Sequence, residues 1–116
     1  MAKSVASYVR LLATHEILPT GLFRVMVDSQ AYLVYFSAGK FHAAFDRCPH
    51  ADFPLSSGRR LENCVVCPMH NGMFNLSTGE SVGQRNFGPL FMLPTRIVDG
   101  YLEAQVDTGE AANGWD

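Results

Sequence analysis

The sequence predicts an antiparallel all-β fold. Three features point to it: short apolar stretches rich in β-branched and aromatic residues, turn-forming residues between them at close intervals, and no periodicity long enough for a long helix. Candidate strands run Tyr8–Leu12, Phe23–Val27, Ala31–Phe36, Phe41–Phe45, Cys64–Val66, Phe74–Leu76, Phe91–Leu93, Thr95–Val98 and Tyr101–Val106. Pro19-Thr20-Gly21 breaks the chain ahead of the second strand. Asp28-Ser29, Ser37-Ala38-Gly39-Lys40, Ser77-Thr78-Gly79 and Asp99-Gly100 suit hairpin turns, the last most strongly because Asp-Gly accepts the positive φ of a two-residue turn. A meander of antiparallel strands is the expected connectivity. Asp107–Asp116 is Gly/Ala-rich with no strand periodicity and reads as a loosely held tail, in which Trp115 is the one large apolar anchor.

At 116 residues the chain suits one core and leaves no room for a separate substrate-binding domain. The expected division is a single domain over residues 1–107 and the tail over 108–116. A hydrophobic fraction of 47% with 17% charged residues is that of a folded protein. A net charge of -2 without any Lys/Arg run excludes a nucleic-acid footprint. The longest apolar run, Ala31–Phe36, is too short to cross a bilayer, and Met1-Ala2-Lys3-Ser4 begins neither a secretory nor a twin-arginine signal, so the expected location is cytoplasmic.

The cysteines carry the chemistry. Three of them argue against a disulfide-stapled fold, and two have close histidine neighbours, which points to metal. Cys64-Val65-Val66-Cys67, taken alone, also admits a redox dithiol, half a zinc site, or simply a buried small apolar residue at Cys64. The informative pattern is Cys48-Pro49-His50, sixteen residues, then Cys67-Pro68-Met69-His70. Each of two loops supplies one thiolate and one imidazole to a point between them, and the prolines lower the entropy lost when each loop is ordered. Zinc modules usually place like ligands in pairs, whereas each loop here mixes Cys with His. Colour separates the two: an iron-sulfur protein is brown, a zinc protein colourless. His15 and His42 lack matching partners and read as structural.

The pattern C-x-H, fifteen to seventeen residues, C-x-x-H resembles the signature of the Rieske family. The run Asn71-Gly72-Met73-Phe74-Asn75-Leu76-Ser77-Thr78-Gly79-Glu80 is similar to the glycine, aromatic, Leu and Thr-Gly hairpin that follows its second ligand loop. The likeness extends from about Tyr8 to Val106. It implies a Rieske-like antiparallel β-sandwich or barrel, with a smaller cluster-binding subdomain at about 46–88 formed by the two ligand loops. It implies one [2Fe-2S] cluster per chain held by Cys48, His50, Cys67 and His70, with the cysteines on one iron and the histidines on the other. Two neutral imidazoles in place of two thiolates raise the potential into a range of about -150 to +300 mV, against about -400 mV for plant-type clusters. The family's loop-clamping disulfide positions correspond to Phe53 and Met69, and its hydroxyl-donor positions to Gly72 and Phe74. Without those donors to stabilise the reduced cluster, the low end of that range is expected. Two departures stand out: Asn71 where relatives have glycine, and Gly83-Gln84-Arg85-Asn86-Phe87 as the cluster-covering loop, in which Arg85 is either a solvated residue or a tuning charge. Pro49, Phe53, Met69 and Phe87 are expected to form an apolar docking rim.

The closest overall resemblance is to free-standing ferredoxin components of bacterial aromatic-ring oxygenases. It implies a one-electron carrier, not an enzyme in isolation, between a flavin-containing reductase and a terminal Rieske non-haem iron oxygenase. A small Rieske-like subunit of an assimilatory nitrite reductase is the alternative, although members of that group often lack ligands that are all present here. An oxygenase would need a mononuclear iron site on a further domain. No nucleophile with a general base and no phosphate-binding glycine loop is present in the sequence.

Overall fold

The structure is a computed structural model that describes residues 5–49, 53–69, 71–83 and 88–108. His50, His70, Arg85, Phe87 and the tail from residue 109, Trp115 included, lie outside the described residues.

Eleven strands are described, with two single 3-10 turns at Thr14–Glu16 and Leu55–Ser57. Their ranges are β1 Val5–Ala13, β2 Phe23–Val27, β3 Gln30–Ser37, β4 Lys40–Phe45, β5 Arg59–Leu61, β6 Cys64–Val66, β7 Met73–Asn75, β8 Ser81–Val82, β9 Met92–Leu93, β10 Thr95–Val98 and β11 Tyr101–Thr108. They form three antiparallel sheets, ordered β1-β11-β10, β2-β3-β4-β9 and β5-β6-β7-β8. The expected plain meander is therefore corrected in two places. The first strand pairs with the last, Tyr8 opposite Gln105 and Arg10 opposite Glu103. β4 pairs with β9, so the whole third sheet is inserted between two paired strands. Two strands were not expected: β5, whose Arg59-Arg60 hides its pairing role, and the two-residue β8.

The turns follow from backbone sterics. Asp28 and Ser29 have φ of 50° and 70°, Ala38 and Gly39 53° and 79°, and Asp99 and Gly100 53° and 80°. Two successive residues at positive φ make the mirror-image turn that matches strand twist.

β3 explains the longest apolar run in the sequence. Tyr32 and Val34 face a core shared with Leu11, Ile17, Ala43, Leu102 and Ala104, while Leu33 and Tyr35 face a second core. A strand buried on both faces needs a continuous apolar run in place of alternation. The first core fills the sandwich of the two larger sheets. The second lies between β3 and the inserted sheet, with Val65, Phe74, Leu76, Leu55, Leu90, Cys48 and Cys67.

Arg60 ties the inserted sheet to the sandwich. Its guanidinium donates to the carbonyls of Gly21 at 3.1 Å, Phe36 at 2.8 Å and Glu62 at 2.9 Å. Burial lowers its pKa, with the Tyr35 hydroxyl opposing that shift. Arg60→Ala leaves the Gly21 and Phe36 carbonyls without this donor, and a loss of about 2–4 kcal/mol is expected for these charge-assisted bonds. Urea unfolding measures it. Arg60→Lys should restore only part, since an ammonium lacks the planar fork.

Candidate metal centre

Each candidate ligand loop begins where a strand stops. β4 ends at Phe45, and three residues later the Cys48 amide donates to the Phe53 carbonyl at 2.8 Å. β6 ends at Val66, and the Cys67 amide donates to the Gly72 carbonyl at 2.7 Å. Both loops are thus closed by a cysteine amide reaching five residues forward, around position 50 in one and position 70 in the other. Val66 pairs with Met73, so the second loop is the tip of the β6–β7 hairpin.

The two thiols are buried together. Cys48 is 1% and Cys67 0% exposed, within the core that holds Phe74 and Leu76. The chain then climbs abruptly to the surface: Pro49 is half-buried, Pro68 exposed, and Met69 is 42% exposed. The sulfurs lie at the inner end of the loops and the tips at the outer end. Both cysteines are free thiols. Buried thiolates require a cation, and among the described residues no group of three or more His, Cys, Asp or Glu converges to hold one. The two cysteines thus fit half of a Cys2His2 donor set, whose other half would come from positions 50 and 70.

The third cysteine is set apart. Val65 and Cys67 belong to the buried core, and Cys64, one residue before Val65 on a strand, has the opposite parity and is half-buried. A Cys64–Cys67 dithiol or half zinc site is excluded by that alternation. His15 is exposed, and His42 stacks on Tyr35 at 5.3 Å between ring centroids with its Nε2 3.1 Å from the Ser37 carbonyl, so both are structural as expected. Phe53 corrects the expected rim: it packs inward against the core of Cys48 and Cys67.

Asn71 is explained by its backbone. Its φ is 56°, in the left-handed region where Gly and Asn are tolerated, so Asn71 does the conformational work of a glycine. Asn71→Gly should melt within a few degrees of the wild type, whereas Asn71→Val should be less stable by about 1–2 kcal/mol. Thermal unfolding of the three proteins checks the ranking.

Sequence reasoning missed the polar supports. Asp46, with a fully buried side chain, accepts from Arg24 Nη1 at 2.9 Å, from the Ser56 amide at 2.8 Å and from Ser56 Oγ at 2.6 Å. It thereby pins both arms of the first loop. The Tyr35 hydroxyl donates to the Leu76 carbonyl at 2.9 Å, and burial pushes it well above the usual phenol range while Arg60 opposes. A buried run such as Tyr32-Leu33-Val34-Tyr35 does not reveal which tyrosine carries a buried hydrogen bond, and the partners of Asp46 are 22 and 10 residues away.

Paired loops rooted in buried thiols on a two-core β-sandwich define a metal-cluster-binding β protein. The chain belongs to the Rieske [2Fe-2S] domain family, which matches residues 7–94. Its cofactor is accordingly a [2Fe-2S] cluster. It is 35% identical to the anthranilate 1,2-dioxygenase ferredoxin subunit of Burkholderia cepacia over 69% of this chain and 75% of that protein. With the biphenyl dioxygenase ferredoxin subunit of a Pseudomonas species it shares 30% identity over 78% of this chain and 84% of the relative. A solved chain from the complex of reduced oxygenase and oxidised ferredoxin in carbazole 1,9a-dioxygenase superposes with a TM-score of 0.73 and 26% identity, covering 84% of this chain and 91% of that one.

Proposed function

We propose that this chain carries single electrons from a flavin-containing ferredoxin reductase to a terminal Rieske non-haem iron oxygenase. It acts as an electron-transfer component and does not itself turn over substrate. The observation that carries the reading is the polarity of the loops: thiols buried at their roots and tips at the surface within two residues, Met69 being 42% exposed. Cys48, His50, Cys67 and His70 would hold the cluster, which supplies a one-electron couple when bound. The chain's own residues exclude water from the sulfur side, fix the loops through the Cys48 and Cys67 amides, and leave Pro68 and Met69 outward for brief docking. The similarity to dioxygenase ferredoxin subunits supports these partners. The small-subunit nitrite reductase structure from Mycobacterium tuberculosis shares 17% identity at a TM-score of 0.70, which speaks to the fold alone.

The cluster-binding part is assigned to about 46–88 within a domain of residues 1–107, with 108–116 as a tail. A cytoplasmic setting suits a carrier whose described residues include no helix long and apolar enough to cross a membrane. Stopped-flow mixing tests the role. The reduced chain should reoxidise within the turnover time when mixed with a ring-hydroxylating oxygenase, and it should be re-reduced by a flavin reductase and NADH. Reoxidation by a sirohaem nitrite reductase and by no such oxygenase would overturn it.

A further inference from the structure

The Arg24–Asp46 ion pair is asymmetric in a way that a brace alone does not require. The Asp46 side chain is 0% exposed and that of Arg24 43%. Asp46 lies two residues before Cys48, so their Cα atoms are at most about 7.6 Å apart. Arg24 reaches it from β2, a strand that lies outside both ligand loops. The negative end of the pair is therefore buried beside a thiol root, and the positive end sits in contact with water. Ser56 donates two further hydrogen bonds to the same carboxylate.

We infer that Arg24 sets the reduction potential by neutralising the buried Asp46 carboxylate beside Cys48, an inference that rests on the proposed ligand set. Reduction adds one negative charge to the cluster. An uncompensated carboxylate in a poorly solvated site opposes that charge, and a paired one does so far less. The two partners thus act with opposite signs. Arg24 makes reduction easier, Asp46 makes it harder, and Ser56 holds the carboxylate in place. A merely structural pair has no such sign: removing either member loosens the same loop in the same direction.

Spectroelectrochemical titration of the holoprotein at fixed pH and ionic strength tests this. Arg24→Gln should lower the midpoint potential by about 59 mV, a tenfold change in the reduced-to-oxidised ratio for one electron. Arg24→Lys, which keeps the charge, should stay near the wild type, and Asp46→Asn should raise the potential. Iron content and the electron paramagnetic resonance spectrum of each variant report whether the cluster is intact. An intact Arg24→Gln cluster with an unchanged potential, or an Arg24→Lys shift as large as that of Arg24→Gln, overturns the inference. Should Arg24→Gln lose its cluster, Asp46→Asn decides: a raised potential supports the inference and an unchanged or lowered one overturns it. Loss of cluster from both variants makes the pair a brace and also overturns it. Wild-type protein without iron and sulfide would sink the proposed function before any potential was measured.

Discussion

Cys67→Ser is expected to purify with almost none of the iron and sulfide of the wild type, and Cys48→Ser likewise, while Cys64→Ser keeps the full complement. Cys67 is fully buried, at the root of a loop closed by its own amide. A serine hydroxyl at that depth is far less acidic than a thiol and a poorer ligand for iron, so the charge that balances a ferric ion is lost along with the soft donor. Cys64 lies three residues away in sequence but on the other face of β6. The contrast between two cysteines three residues apart is what makes the experiment decisive. Iron and acid-labile sulfide assays on the three variants read it. Equal loss in Cys64→Ser would mean that the strand parity assigns the wrong thiol.

Phe74→Ala should be the most damaging apolar truncation. Phe74 is 0% exposed, sits at the centre of β7, pairs with Val65 on one side and Ser81 on the other, and shares its core with both buried cysteines. Truncating a buried phenylalanine costs about 3–5 kcal/mol, a large part of the 5–15 kcal/mol by which such domains are stable. The cavity would open beneath the thiol roots, so loss of visible absorbance under chelator challenge should accelerate together with unfolding in denaturant. Phe74→Leu, which refills most of the volume, should cost less than half as much. A Phe74→Ala variant with wild-type stability and cluster retention would contradict the placement of the second core.

The sequence disclosed local features well and distant ones poorly. β2, β6 and β10 have the bounds read from β-branched runs, and Asp28-Ser29 and Asp99-Gly100 turn where their chemistry demanded. Those signals lie within a few residues of one another. The pairing of β1 with β11 joins residues nearly a hundred positions apart, and no local pattern marks it. Arg60 and Asp46 fail for the same reason: each looks like an ordinary charge until the fold brings carbonyls or a guanidinium to it. β5 was hidden because its two arginines mask strand propensity, although one of them holds the inserted sheet in place. The four candidate ligands were legible because metal chemistry demands particular residue types at particular spacings within single loops. The depth of the two thiols was not, since burial depends on Phe74 and Leu55 arriving from other elements.

The central claim is that His50 and His70 complete the ligand set begun by Cys48 and Cys67. Pulsed electron paramagnetic resonance on the reduced protein, with histidine labelled by nitrogen-15, tests it most directly. Two strongly coupled histidine nitrogens are expected, with one lost in His50→Ala or His70→Ala if any cluster survives, and both retained in His15→Ala and His42→Ala. A cluster without coupled histidine nitrogen, or couplings that vanish on replacing His42, would contradict the account.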